Sequence, residues 1–302
     1  MVEPQLGMSM EGLVGIAKKA EELGFGYFFR SDHILPTDVR RGIDSPECWT
    51  SLGVLAASTS RIKFGPLVSP IGFRSPALLA KMACTVHSAS HGRLQLGVGA
   101  GWYEAEYKAH GFSFPDFRTR VAQFAEALEI ISAMVNDGKV DYEGTHFTAH
   151  TDCMPRPAGH MHMIVGGRTK PVVRLAARFA DEWNTFRSSG SDLVGLRLIL
   201  AERSGGRAID VTEMGPYLVA ESQPKLEEYA ALHASTLGQR ISPKDVIARM
   251  KARSAPCGTV QEFVDQLRSR ADSGFKRVYF QTLVPQNTAM VELLADTLKG
   301  KL

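Results

Sequence analysis

Apolar residues recur along this chain in two alternating rhythms. Leu13, Ile16, Ala17, Ala20 and Leu23 fall at helical spacing, and Gly24 stops the run. Tyr27-Phe28-Phe29 then reads as a short buried strand ending at Arg30-Ser31-Asp32-His33. Ser45-Pro46 predicts the next helix start, with Ser as N-cap, Pro at the first position and Trp49, Leu52, Leu55 and Ala56 on the apolar side. Ile62 to Val68 predicts another strand. Its end, from Pro66 to Pro70, should be bulged, because proline donates no ladder hydrogen bond. Ser75-Pro76 opens a helix carrying Leu78, Leu79, Met82, Ala83 and Val86, closed near Gly92.

The alternation continues. Arg93 to Val98 is a strand that runs into Gly97-Val98-Gly99-Ala100-Gly101. Val121, Phe124, Ala125, Leu128 and Ile131 mark a long amphipathic helix ending before Gly138, and Val140 to Phe147 reads as a surface hairpin turning at Glu143-Gly144. Met161 to Val165 is a strand, and a helix with Pro171 in its first turn follows it. Further strands are expected at Glu182 to Phe186, within Val211 to Ala220, and at Phe275 to Leu283. The stretch 223–256 should be helical and polar, an excursion over the barrel mouth, and 288–299 a closing helix. With a first strand unusually short at its start, eight strands alternating with helices predict an α/β fold, a (β/α)8 TIM barrel. Insertions should lie at its C-terminal face. No linker breaks the chain, so 1–302 reads as one domain.

Composition narrows the classes. The 302 residues are 44% hydrophobic with net charge +3, too weakly basic for a nucleic-acid binder. No apolar run is long enough for a membrane span, and the first residues lack a signal-peptide pattern. Cys48, Cys84, Cys153 and Cys257 are scattered, as expected of reduced thiols in a cytoplasmic protein. Short pairs such as Arg40-Arg41 and Lys18-Lys19 read as solvated faces.

Active sites of such barrels sit at the C-terminal strand ends. Three groups fall there. Asp32 and His33 follow the second strand, where a histidine can exchange a proton near neutral pH; the alternative is an ordinary loop pair. Gly97 to Gly101 permits close backbone approach to a ligand, with Trp102 and Tyr103 as wall, or is a sharp barrel corner. Gly166-Gly167-Arg168-Thr169 runs from strand to helix, and backbone N–H groups plus the helix dipole make such a turn an anion site. The remaining histidines read more plainly. His160 and His162 lack an acidic neighbour in sequence, so no metal site is expected; His87 and His91 read as surface or interface residues; Glu126 and Glu129 read as a solvated face.

Four stretches together resemble the luciferase-like monooxygenase superfamily, specifically its coenzyme F420-dependent oxidoreductases. They are Ala20-Glu21-Glu22-Leu23-Gly24-Phe25 leading to Ser31-Asp32-His33, and Leu67-Val68-Ser69-Pro70 through Phe73-Arg74-Ser75-Pro76. The others are Gly92-Arg93 through Gly99-Ala100-Gly101-Trp102-Tyr103-Glu104 with Gly111-Phe112-Ser113-Phe114-Pro115, and Val165-Gly166-Gly167-Arg168 through Ala176-Ala177-Arg178-Phe179-Ala180-Asp181. The match covers about residues 3–187 and weakens beyond, apart from the eighth strand. Pro66 departs from it, standing where the family usually has a small residue.

The resemblance implies a barrel holding a 5-deazaflavin, coenzyme F420, or alternatively FMN across the strand ends. It assigns His33 to proton transfer and Asp32 to the cofactor. Leu67, Val68 and Ser69 would support the ring from a bulge, often with a non-proline cis peptide. Gly99, Ala100 and Gly101 would line the ribityl chain, and Gly166, Gly167, Arg168 and Thr169 would hold the phosphate. The implied activity is hydride transfer between F420 and a small organic substrate, in a homodimer. A reduced-FMN, oxygen-dependent monooxygenase and a non-catalytic flavin-binding protein are the alternatives. The substrate pocket would be shaped by 34–47 and 187–256, the stretches least like the family.

Overall fold

The computed structural model describes residues 1–36, 42–157, 159–186, 192–283 and 288–299. Arg40-Arg41 and parts of both pocket-shaping stretches lie outside the described residues. In chain order the strands are β1 Tyr27–Arg30, β2 Lys63–Pro66, β3 Ser69–Pro70, β4 Leu96–Gly99, β5 Lys139–Glu143, β6 Thr148–Asp152, β7 Met163–Gly166, β8 Glu182–Phe186, β9 Asp210–Pro216, β10 Leu218–Ala220, β11 Cys257–Thr259 and β12 Arg277–Gln281. The helices are α1 Met10–Glu22, α2 Cys48–Ser58, α3 Pro76–Ala89, α4 Glu104–Ala109, α5 Phe117–Asp137, α6 Lys170–Phe179, α7 Leu193–Arg203, α8 Gln223–Thr236, α9 Pro243–Ala252, α10 Val260–Asp272 and α11 Thr288–Leu298.

Parallel pairing runs β12-β9-β8-β7-β4 and, separately, β1-β2. Single bridges join the two sets: Phe64 pairs with Leu94, and Val2 pairs with both Arg30 and Thr282. The ring therefore closes as the predicted (β/α)8 barrel, with its first strand reduced to Val2. Inside it, Phe29, Leu67, Ile164 and Tyr279 pack together. The strand starts carry an ionic floor. Glu182 accepts from Thr212, Tyr279 and Arg277, and Arg277 also reaches Asp210. Burial works against ionisation of Glu182, but hydrogen bonds from His162, Thr212 and Arg277 outweigh it and hold its pKa below the usual range.

Helix signals in the sequence held at most ends. Ser75 caps α3 through Leu78 N–H, and Gly138 ends α5 with φ 70°. The α2 start differs from the expectation at Ser45-Pro46. That helix begins at Cys48, and the Glu47 carboxylate accepts from Thr50 N–H. Arg30, fully buried, donates to the carbonyls of Pro46 and Glu47, to Ser51 Oγ and to Ser31 O. The Pro46 carbonyl is thus drawn to the barrel wall, and the first helical turn starts at Glu47, whose carbonyl accepts from Ser51 N–H as well. The hairpin also runs further than expected, to Asp152. Its turn is fixed by Glu126, which accepts from Thr145, His146 and Phe147 N–H. Glu126 is thus a structural anchor, while Glu129 pairs with Arg178.

Other expectations need correction. His87 is 1% exposed, so it belongs to the interior and not the surface. His160 and His162 do have acidic partners, Asp181 and Glu182, which neighbouring strand starts bring near. Among the described residues no group of three metal-capable side chains forms. Cys84 and Cys153 are not scattered: their thiols meet, and burial and that contact push Cys84 up to about 12. The helices α8 and α9 rest on the parallel β10-β11 pair, forming an apolar cluster with α10 and α11 in the outer layer. No described helix is long and apolar enough to cross a membrane.

Two glycines test this packing. A Cβ at Gly65 would fall on the Gln95 carbonyl oxygen, a backbone atom, whereas a Cβ at Gly53 in exposed α2 meets nothing within 4 Å. Gly65→Ala should cost about 3 kcal/mol by overpacking. Gly53→Ala should add roughly 0.5–1 kcal/mol through helix propensity. Urea unfolding midpoints measure both; equal shifts would contradict the close approach of Gly65 to the Gln95 carbonyl.

Candidate active site

The loop after β1 carries Ser31, Asp32 and His33 onto the C-terminal end of the barrel. His33 Nδ1 lies 2.9 Å from Glu106 Oε1, and Ile34 N–H donates to Glu106 Oε2 at 3.2 Å. The Glu106 side chain is 1% exposed and that of His33 15%. A buried carboxylate needs donors, so Nδ1 carries the proton toward Glu106. Nε2 is then the ring nitrogen available to a reacting group. Burial lowers the His33 pKa, but the hydrogen bond and charge of Glu106 outweigh it, and the net pKa is raised above 6.5. Protonated His33 therefore adds stability below pH 6.5, and this is lost as pH rises through the folded value.

Asp32 is 1% exposed. Its carboxylate accepts from Ser69 Oγ at 2.6 Å and from Arg74 Nη1 at 2.7 Å. Trp49 Nε1 donates to Ser69 Oγ at 3.0 Å, and Arg74 also reaches Glu47. Burial lowers the Arg74 pKa, yet the Asp32 carboxylate more than compensates and raises it. The structure thus joins two of the expected residues directly, Ser69 donating to Asp32, and a buried ion pair with Arg74 holds the same carboxylate.

Of the other expected residues, Gly99 and Gly166 meet at Val68. The Leu67–Val68 peptide bond is cis, and the chain resumes as β3, with Ser69 opposite Val98 and Pro70 opposite Gly99. A Cβ on Gly99 would lie 2.7 Å from Val68 Cγ2, and one on Gly166 would lie 2.8 Å from Val68 Cγ1. Val68 packs against both glycines and leaves no room for a side chain at either position. Gly101, at φ 78°, turns the chain over Tyr107, so Ala100 is half-buried while Trp102 is exposed. Gly167, at φ 143°, donates to Asn184 O and accepts from Trp183 Nε1. Arg168 and Thr169 are exposed at the start of α6, and the Thr169 side chain makes no cap hydrogen bond. The first turn of α6 thus lacks a Thr169 side-chain cap, and Pro171 contributes no N–H there.

Sequence reasoning missed Glu106, Arg74 and Glu47. Arg74 lay within a quoted motif without a role. Nothing in the run Glu104-Ala105-Glu106-Tyr107 says which glutamate faces inward; Tyr107, packed at 1% exposure beneath Gly72 and Gly101, decides it.

Comparison with known proteins agrees with this architecture. An F420-dependent glucose-6-phosphate dehydrogenase of Intrasporangium calvum is 26% identical over 295 residues, covering 88% of this chain and 87% of its own. A solved F420-dependent secondary alcohol dehydrogenase, in complex with an F420-acetone adduct, superposes with TM-score 0.81 at 17% identity, covering 99% of this chain and 98% of that one. A monooxygenase from Streptomyces bottropensis gives TM-score 0.80 at 20% identity, over 96% of this chain and 92% of that one. A family model described as luciferase-like monooxygenase matches residues 2–277. With that match spanning the bulge, the glycine turns and the His33 loop alike, the chain belongs to the luciferase-like monooxygenase family.

Proposed function

We propose that this chain is an oxidoreductase moving a hydride between coenzyme F420 and a small organic substrate, with His33 as the proton-transfer group. The observation that carries the reading is the His33–Glu106 pair at the barrel mouth, next in sequence to Asp32, which Ser69 holds. Similarity to F420-dependent dehydrogenases over most of the chain supports the cofactor.

The residues present fit such a group. The uncapped start of α6, with Gly166, Gly167, Arg168 and Thr169, would hold the phosphate. The backbone of Leu67, Val68 and Ser69 would carry the ring, Ser69 being fixed by Asp32 and Trp49. Gly99, Ala100 and Gly101 would flank the side chain between them. F420, when bound, supplies a carbon centre that takes or gives a hydride. In the oxidising direction the substrate C–H leaves as hydride and its O–H proton passes to His33 Nε2, giving a carbonyl. Glu106 orients the imidazole and stabilises the cation that forms; it acts through His33 and is a positioning residue. Arg74 keeps the Asp32 carboxylate paired where it is buried.

Titration of the protein with F420 and with FMN, followed by fluorescence, tests the cofactor; tighter binding of FMN would overturn it. His33→Ala should keep F420 affinity and lose about 10²–10⁴ in turnover. Unchanged turnover would remove the proton-transfer role. Glu106→Gln replaces a charged partner by a neutral one, so the His33 pKa should fall. The limb of the pH–rate profile that needs neutral His33 should then move to lower pH, with F420 affinity retained. A limb that stays in place would exclude Glu106 as its source.

A further inference from the structure

Beside His33 stands an aromatic wall. The His33 and Trp102 ring centroids are 5.7 Å apart at 85°, those of His33 and Tyr103 6.2 Å apart at 77°, and those of Trp102 and Tyr103 5.3 Å apart. Trp102 is 67% exposed, whereas Trp49 and Trp183 are 2% and 0% exposed. An exposed indole beside a reacting group leaves apolar area for a ligand to cover.

Among the described residues, these polar groups around the imidazole already have partners. Both Glu106 oxygens accept from the His33 loop. Asp32 holds Ser69 and Arg74, Ser31 Oγ donates to Gln5, and Tyr103 OH donates to Pro36 O at 3.5 Å. A sugar needs several hydroxyls met by open donors and acceptors, or its desolvation is uncompensated. A planar apolar group needs only a ring face and one polar contact.

On the basis of the proposed function, we infer that Trp102, with Tyr103, selects a substrate whose reacting alcohol or ketone carbon carries a planar, aromatic group. The hydroxyl or carbonyl oxygen meets His33 Nε2, and the ring lies against the indole. Trp102 is then the specificity-determining residue of the site.

Two measurements test this. In the cofactor-free protein, acetophenone should quench the exposed Trp102 fluorescence saturably, and propanone should not; Trp102→Phe should abolish the saturable part. With F420 bound, the KM for 1-phenylethanol should lie at least tenfold below that for propan-2-ol. Trp102→Ala should raise it tenfold or more with kcat within about threefold, and Trp102→Phe should recover most of the loss. Preference for glucose 6-phosphate, equal KM values for the two alcohols, or no saturable quenching would overturn the inference. A tenfold loss of F420 affinity in Trp102→Ala would also overturn it, by giving the indole to the cofactor. Failure of F420 to bind the unaltered protein would instead strike the proposed function.

Discussion

A carboxylate buried at the mouth of a barrel must be met by donors, and Glu106 is met by two from one loop, His33 Nδ1 and Ile34 N–H. This constraint ties the chain after β1 to the short helix after β4. It sets the tilt of the imidazole, decides which ring nitrogen is left for chemistry, and raises the affinity of His33 for its proton. Glu106 reaches that position because Gly101 turns the chain and Tyr107 packs beneath the turn. The aromatic wall of Trp102 and Tyr103 is a consequence of the same turn.

Charge is placed at both ends of the barrel with apolar packing between. The floor is held by Glu182 with Arg277 and Asp210 at the strand starts. The mouth is held by Asp32 with Arg74, and by Arg30 reaching the carbonyls before α2. Each buried charge has several partners, which is the condition under which such groups persist in an interior. The floor ties β8, β9 and β12 together; the mouth ties the two loops from which the candidate site is built.

Much of this was legible in the sequence. The alternation of strand and helix gave the barrel. Proline inside Lys63–Pro66 pointed to an irregular strand end, and pairing is interrupted there, with a cis Leu67–Val68 peptide between β2 and β3. Loop position brought forward the pair Asp32 and His33, and the family resemblance separated their roles. The rest depends on distant residues. The cap of α2 moved from Ser45 to Glu47 because Arg30 claims the intervening Pro46 carbonyl, a contact 16 residues away in the chain. His87 is interior because α3 is covered on that face, which its own spacing does not reveal. Gly99 and Gly166 were legible as glycines, but their packing against Val68 was not. Glu106, 73 residues from His33, gave no local signal at all.

The state of the His33 ring tests the account most directly. Nitrogen-15 NMR of the imidazole across a pH titration reports both the tautomer and the pKa. A proton on Nδ1 in the neutral form, with a pKa above 6.5, is the expected result. A proton on Nε2, or a pKa below that value, would contradict the placement of Glu106 as the group that holds and charges the ring.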